Sequence, residues 1–122
     1  MQQSWESIQN HYSGASSYTS EYQDLHQAMS ELCAWIKNSD LKASLFGRTS
    51  HHLLLISQVE FEDTIHHSVQ TLNVSPNFEN RSIEFEFCDT HLENKKWKRT
   101  EPPNGETLIN RLIGFARQVG WY

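Results

Sequence analysis

Long apolar runs are missing from this chain. No segment approaches the roughly 18 to 20 consecutive apolar residues that a membrane-spanning helix needs. The opening MQQSWESIQN has neither the basic nor the apolar region of a secretory leader, so the sequence predicts no membrane association and no secretion by that route. Cysteine is scarce: Cys33 and Cys88 are the only two. They form no disulfide framework and no paired-cysteine zinc motif, and two reduced thiols predict a cytoplasmic setting. Positive charge is short as well, with 10 Lys and Arg against 15 Asp and Glu and a net charge of -5. That balance argues against broad nucleic-acid binding, which depends on neutralising phosphates. It suits a basic partner better, although a modest negative charge also serves plain solubility. There is no HExxH, no phosphate-cradling glycine loop, no internal repeat and no low-complexity tract.

What is present is enough for one folded unit. With 122 residues, 37% of them hydrophobic, the chain is long enough to bury a core without metals or disulfides, and residues 1–122 read as a single domain. Residues 1–17 hold Trp5 and Ile8 as their only strong anchors and read as a short docking helix or a frayed arm. Tyr22, Leu25, Met29, Leu32, Cys33 and Ile36 recur at steps of three and four. That spacing predicts an amphipathic helix over about 20–37, with Ser20 as its cap.

Leu41, Ala43 and Leu45 alternate with polar neighbours and predict a strand that turns at Gly47, with the apolar run Leu53 to Ile56 as a central partner. Residues 59–74 suit helix and strand about equally, with a lean to a strand late in the segment; Pro76 to Asn80 reads as a loop around Phe78. Ile83, Phe85 and Phe87 alternate with Glu84, Glu86 and Cys88, the clearest strand signal in the chain. Lys96 to Arg99 reads as a short edge strand. Asn104 or Gly105 opens a helix over about 105–119 with Leu108, Ile109, Leu112, Ile113, Ala116 and Val119 on its apolar side; Gly120 ends it and Trp121 packs back. The expected fold is α+β: a two-layer sandwich whose antiparallel sheet of four or five strands is flanked by the two helices.

Four constellations bear on function. Glu84 and Glu86 share one strand face, with Glu60, Glu62 and Asp63 close in sequence, and predict an acidic sheet face opposite the helices. Any solvated strand face shows the same pattern. Trp35, on the border of its helix stripe, and Trp97 are candidate aromatic anchors for a partner, or alternatively rims over the core. The histidines number seven. His51, His52, His66 and His67 are the candidate metal ligands, alongside His91, but adjacent histidines on a strand point to opposite faces, so each pair offers one ligand. Lys95, Lys96, Trp97, Lys98 and Arg99 are the one basic cluster with an interleaved aromatic, the pattern that stacks a base and meets phosphate; edge protection explains it equally. Neither cysteine is placed to be a nucleophile, Cys88 beside carboxylates and Cys33 on a core face.

These features predict a small protein-binding module that docks a basic protein partner, or a second copy of itself, through Glu84, Glu86, Trp35 and Trp97, with no cofactor. In general character such a compact acidic chain resembles bacterial toxin-neutralising immunity proteins, and helices on a sheet are the broad style of type III secretion chaperones. The resemblance is of composition and style, and no site residue follows from it. The alternative expectation is a small metal-dependent or acid-base enzyme built on the histidines.

Overall fold

The computed structural model describes residues 4–16, 22–58, 70–88 and 97–122. In chain order these form α1 (Trp5–Ser16), α2 (Gln23–Lys37), a 3-10 turn (Asp40–Ala43), β1 (Phe46–Ser50), β2 (Leu53–Ser57), β3 (Thr71–Asn77), β4 (Ser82–Cys88), β5 (Trp97–Glu101) and α3 (Gly105–Val119). The strands make one antiparallel meander in the order β1-β2-β3-β4-β5. The α+β sandwich expected from the sequence is therefore the fold observed.

Alternation sets the two faces of the sheet. Leu54 and Ile56 of β2, Leu72 and Val74 of β3, and Ile83, Phe85 and Phe87 of β4 are all buried and join the helical residues in one core. Glu84, Glu86, Asn73, Ser75 and Leu55 stand on the opposite face, in cross-strand register with one another. β3 carries Pro76 within the strand, which sequence reasoning assigned to a loop. The break is tolerated because the β2 register ends at Leu54 and Val74, so β3 has no partner on that side at Pro76. The following turn is held by Asn77, whose Oδ1 accepts from the amides of Glu79 at 3.1 Å and Asn80 at 3.0 Å.

The first strand begins later than its alternation suggests. Leu41 and Leu45 are buried while Ala43 is exposed, and the Leu45 amide donates to the Leu41 carbonyl at 2.8 Å, the bond of a helical turn. A four-residue repeat and a two-residue repeat both place 41 and 45 on one side; Ser39 decides between them. Its Oγ accepts from the Leu41 amide at 3.2 Å and donates to the Ile36 carbonyl at 2.9 Å, winding the segment instead of extending it. The hairpin turn accordingly falls at His51 and His52, and His51 takes a left-handed φ of 57°.

The helices cover the inner face. α2 buries Leu25, Ala28, Met29, Leu32, Cys33 and Ile36, and also His26 and Ser30, because it touches α1, α3 and the sheet at once. α1 inserts Trp5, Ile8 and Tyr12, and the Trp5 indole donates to the Leu45 carbonyl at 3.0 Å. α3 is capped by Asn104, whose Oδ1 accepts from the Thr107 amide at 3.1 Å. It ends at Gly120 with φ 81°, where the Trp121 amide donates to the Ala116 carbonyl at 2.7 Å. Phe115, outside the apolar stripe read from the sequence, is buried at the centre of an aromatic cluster, 5.0 Å from Phe87, 4.9 Å from Trp97 and 5.2 Å from Trp121 between ring centroids. Val119 is exposed instead.

Gly47 is required by close approach. A Cβ there would lie 2.6 Å from Ile8 Cδ1 and 2.7 Å from Trp5 Cη2, well inside contact distance. Gly47→Ala is expected to lower stability by about 1–3 kcal/mol, the usual cost of overpacking, as read from the urea midpoint. An unchanged midpoint would show that α1 does not rest on β1.

Candidate functional site

Two regions gather polar and aromatic side chains. The first is the sheet face opposite the helices. Five strands place Arg48, Leu55, Asn73, Glu86 and Lys98 in one row across it. Ser75, Glu84 and Thr100 make the adjacent row. Glu84 and Glu86 lie two residues apart on β4, which separates their Cβ atoms by about 7 Å. Glu84 Oε1 accepts from Asn77 Nδ2 at 3.3 Å and stands 3.9 Å from Lys98 Nζ. The side chain of Lys98 is 55% exposed and that of Glu84 28%, so this long contact is worth well under 1 kcal/mol. Among the described residues the charges of this face are thus two central carboxylates with a basic side chain on each edge strand, and none of the three helices covers it.

The aromatic anchors do not join that face. Trp97 pairs with Phe87 and points to the helix side, where its ring meets Phe115 and lies 5.0 Å from the Arg99 guanidinium. Trp35 is half-buried on α2 against the core. The described part of the basic cluster splits likewise: Lys98 stands beside Glu84 and Glu86, while Trp97 and Arg99 face the other way with the Trp97 ring already engaged. Lys95 and Lys96 lie outside the described residues, as do Glu60, Glu62, Asp63 and the proposed cap Ser20; so does the side chain of Cys88.

The second region lies at the end of the sandwich where α1, α2 and the β1–β2 turn meet. His11 Nε2 donates to the His51 carbonyl at 2.9 Å, which places the proton of that imidazole on Nε2. The Tyr12 hydroxyl donates to the His52 carbonyl at 2.9 Å. Behind these bonds His26 is buried, 3% exposed, with its ring centroid 5.4 Å from His52 and 5.7 Å from Phe78. Among the described residues neither nitrogen of His26 has a hydrogen-bond partner. Desolvation, with the nearby His52 and His11 imidazoles, lowers its pKa from the ordinary 6.5. Burial, with Cys33 close by, pushes the Tyr12 phenol upward, and burial pushes the Cys33 thiol up to about 12, which makes it inert.

Of the histidines singled out from the sequence, His51 and His52 therefore meet His11 and His26, while His66, His67 and His91 lie outside the described residues. Among the described residues no group of three or more His, Cys, Asp or Glu side chains is arranged to hold a metal ion. Sequence reasoning passed over His11, Tyr12, His26 and Phe78. The signal for His26 was present, since it stands three residues before Met29 and seven before Cys33 on the buried stripe of its helix. Comparison with protein-family models, with curated proteins and with solved structures finds no match.

Tyr12→Phe removes the hydroxyl that ties α1 to the His52 carbonyl and keeps the ring. A loss of about 0.5–1.5 kcal/mol is expected by urea unfolding. A variant as stable as the parent would mean that water replaces this bond at no cost.

Proposed function

We propose that this chain is a small cytoplasmic protein-binding module, of the immunity or regulatory kind, that docks a basic protein partner on the sheet face opposite α1, α2 and α3. The observation that carries the reading is the outward pair Glu84 and Glu86. The two carboxylates sit at a fixed spacing on an interior strand, with hydrogen-bonding Asn73, Ser75 and Thr100 and half-buried Leu55 around them. A rigid sheet holds such a pair without spending side-chain order at the moment of binding. Lys98 is the present neighbour of Glu84, and its long, solvent-screened contact is cheap to replace by a partner's arginine, which binds carboxylate with two hydrogen bonds. The net charge of -5 adds long-range attraction for a basic surface and so favours fast encounter.

The reading differs from an acidic domain in general by being local. Titration with an arginine-rich peptide, followed by amide chemical shifts, is expected to move Leu55, Asn73, Glu84, Glu86 and Lys98 and to weaken steeply with salt. Glu84→Gln combined with Glu86→Gln is expected to weaken the peptide by about two- to thirtyfold, from about 0.2–1 kcal/mol per exposed charge pair. Shifts confined to the helices, or equal affinity for the double variant, would refute docking on this face; concentration-dependent sedimentation with the same shifts would identify a second copy as the occupant.

A further inference from the structure

We infer that the histidine cluster of His11, His26 and His52 makes the junction between α1 and the β1–β2 turn an acid-sensitive latch, closed when His26 is neutral and released when it takes a proton. His26 is 3% exposed and, among the described residues, makes no hydrogen bond through either nitrogen. A neutral imidazole tolerates that at moderate cost, but an imidazolium carries two N–H donors and a charge that a dry site does not accept. The proton therefore enters together with water, which requires something over the ring to move.

Among the described residues the groups that act on the ring are imidazoles and the Phe78 ring, with no carboxylate placed against it. α1 presents the imidazole of His11, and its Tyr12 phenol donates to the His52 carbonyl. The β1–β2 turn presents His52, with the His51 carbonyl taken by His11. The turn after β3 presents the Phe78 ring, 5.7 Å away; the exposed Glu79 and Arg81 belong to the same turn, and Arg81 is bound to Asp24 of α2 at 3.2 Å. On α2 itself Ser30 is engaged with Ser13 of α1 at 2.7 Å, and the Cys33 thiol is buried. Burial and the His52 and His11 imidazoles thus all disfavour a cation at His26. The two bonds from His11 and Tyr12 hold α1 to the same turn whose His52 ring lies 5.4 Å from His26.

The sign follows from linkage. The folded-state pKa of His26 lies below its ordinary 6.5. Above 6.5 the closed and open forms hold the same number of protons and pH has no effect through this residue. Below 6.5 the open form gains a proton that the closed form refuses, so opening is favoured by up to about tenfold per pH unit until the folded-state pKa is reached.

Hydrogen exchange on the full chain from about pH 8 to about pH 5, corrected for the intrinsic pH dependence of exchange, reads the latch directly. Amides of α1 and of residues 51–53 are expected to lose protection below 6.5 by up to about tenfold per unit, while those of β3 and β4 keep theirs. In His26→Phe, which fills the site without a titrating group, the α1 slope is expected to vanish. Wild-type α1 protection that stays flat across this range, or a slope that persists in His26→Phe, would overturn the proposal. Should that variant fail to fold, proton NMR of the wild-type imidazoles decides: His26 charging near 6.5 with α1 still protected overturns the latch, and His26 charging only as α1 opens supports it.

Discussion

The alternation of β4 is the constraint on which the rest of the structure depends. Ile83, Phe85 and Phe87 enter the core and send Glu84 and Glu86 to the opposite face. Fully burying each large apolar side chain is worth about 1.5–3 kcal/mol, so the inward face of this one strand contributes as much as many whole domains have in net stability. A register slip of one residue would expose all three and drive two carboxylates beneath the helices, which adds the desolvation of two charges to the loss. β3 and β5 lie in register on either side of β4, and Phe115 of α3 and Trp121 just beyond that helix close over it. The position of the carboxylate pair is therefore a consequence of core packing.

α2 is the element that makes a single core out of three helices and a sheet. A helix covering one surface buries a stripe, whereas α2 meets α1 on a second side and must bury His26 and Ser30 there. The two polar residues are treated differently. Ser30 is satisfied across the interface by Ser13, whereas His26 finds no partner among the described residues. An unpaired buried imidazole costs stability in the folded state, and that cost falls on the same junction where α1 is fastened by Tyr12 and His11. The two ends of the sandwich differ in kind: the Phe87, Trp97, Phe115 and Trp121 end is closed by a cluster of large aromatic rings, and the other gathers the imidazoles of His11, His26 and His52.

Much of this was legible in the sequence wherever one period was unopposed. The strand at 83–87, the helix from Asn104 to Gly120 with its cap and its returning Trp121, and the long stripe of α2 each carry one consistent signal, and each is found. The reading faltered where two periods coincide, as at Leu41 and Leu45, whose spacing fits a turn of helix and a strand equally until the Ser39 hydroxyl settles it. It also faltered where burial comes from a second contact surface. Tyr12 and His26 face each other's helices, and no local pattern announces a partner helix. Gly47 read as a turn because glycine marks turns, while its use is to let Trp5 and Ile8 approach. For the site, Glu84 and Glu86 were legible from alternation alone; the separation of Trp97 and Trp35 from them depends on strand register and layer, which only the assembled sheet supplies.

The proposed docking face and the proposed histidine latch lie on one frame, and the docking face assumes that β4 presents its faces as described. Site-by-site thiol labelling tests this most directly. In a chain with Cys88→Ser, single replacements Ile83→Cys, Glu84→Cys, Phe85→Cys, Glu86→Cys and Phe87→Cys would be reacted with a charged maleimide under native conditions. Rapid labelling at 84 and 86, with 83, 85 and 87 reacting only as fast as the molecule unfolds, is the predicted result; slow labelling at both 84 and 86, or equal rates along the strand, would contradict it.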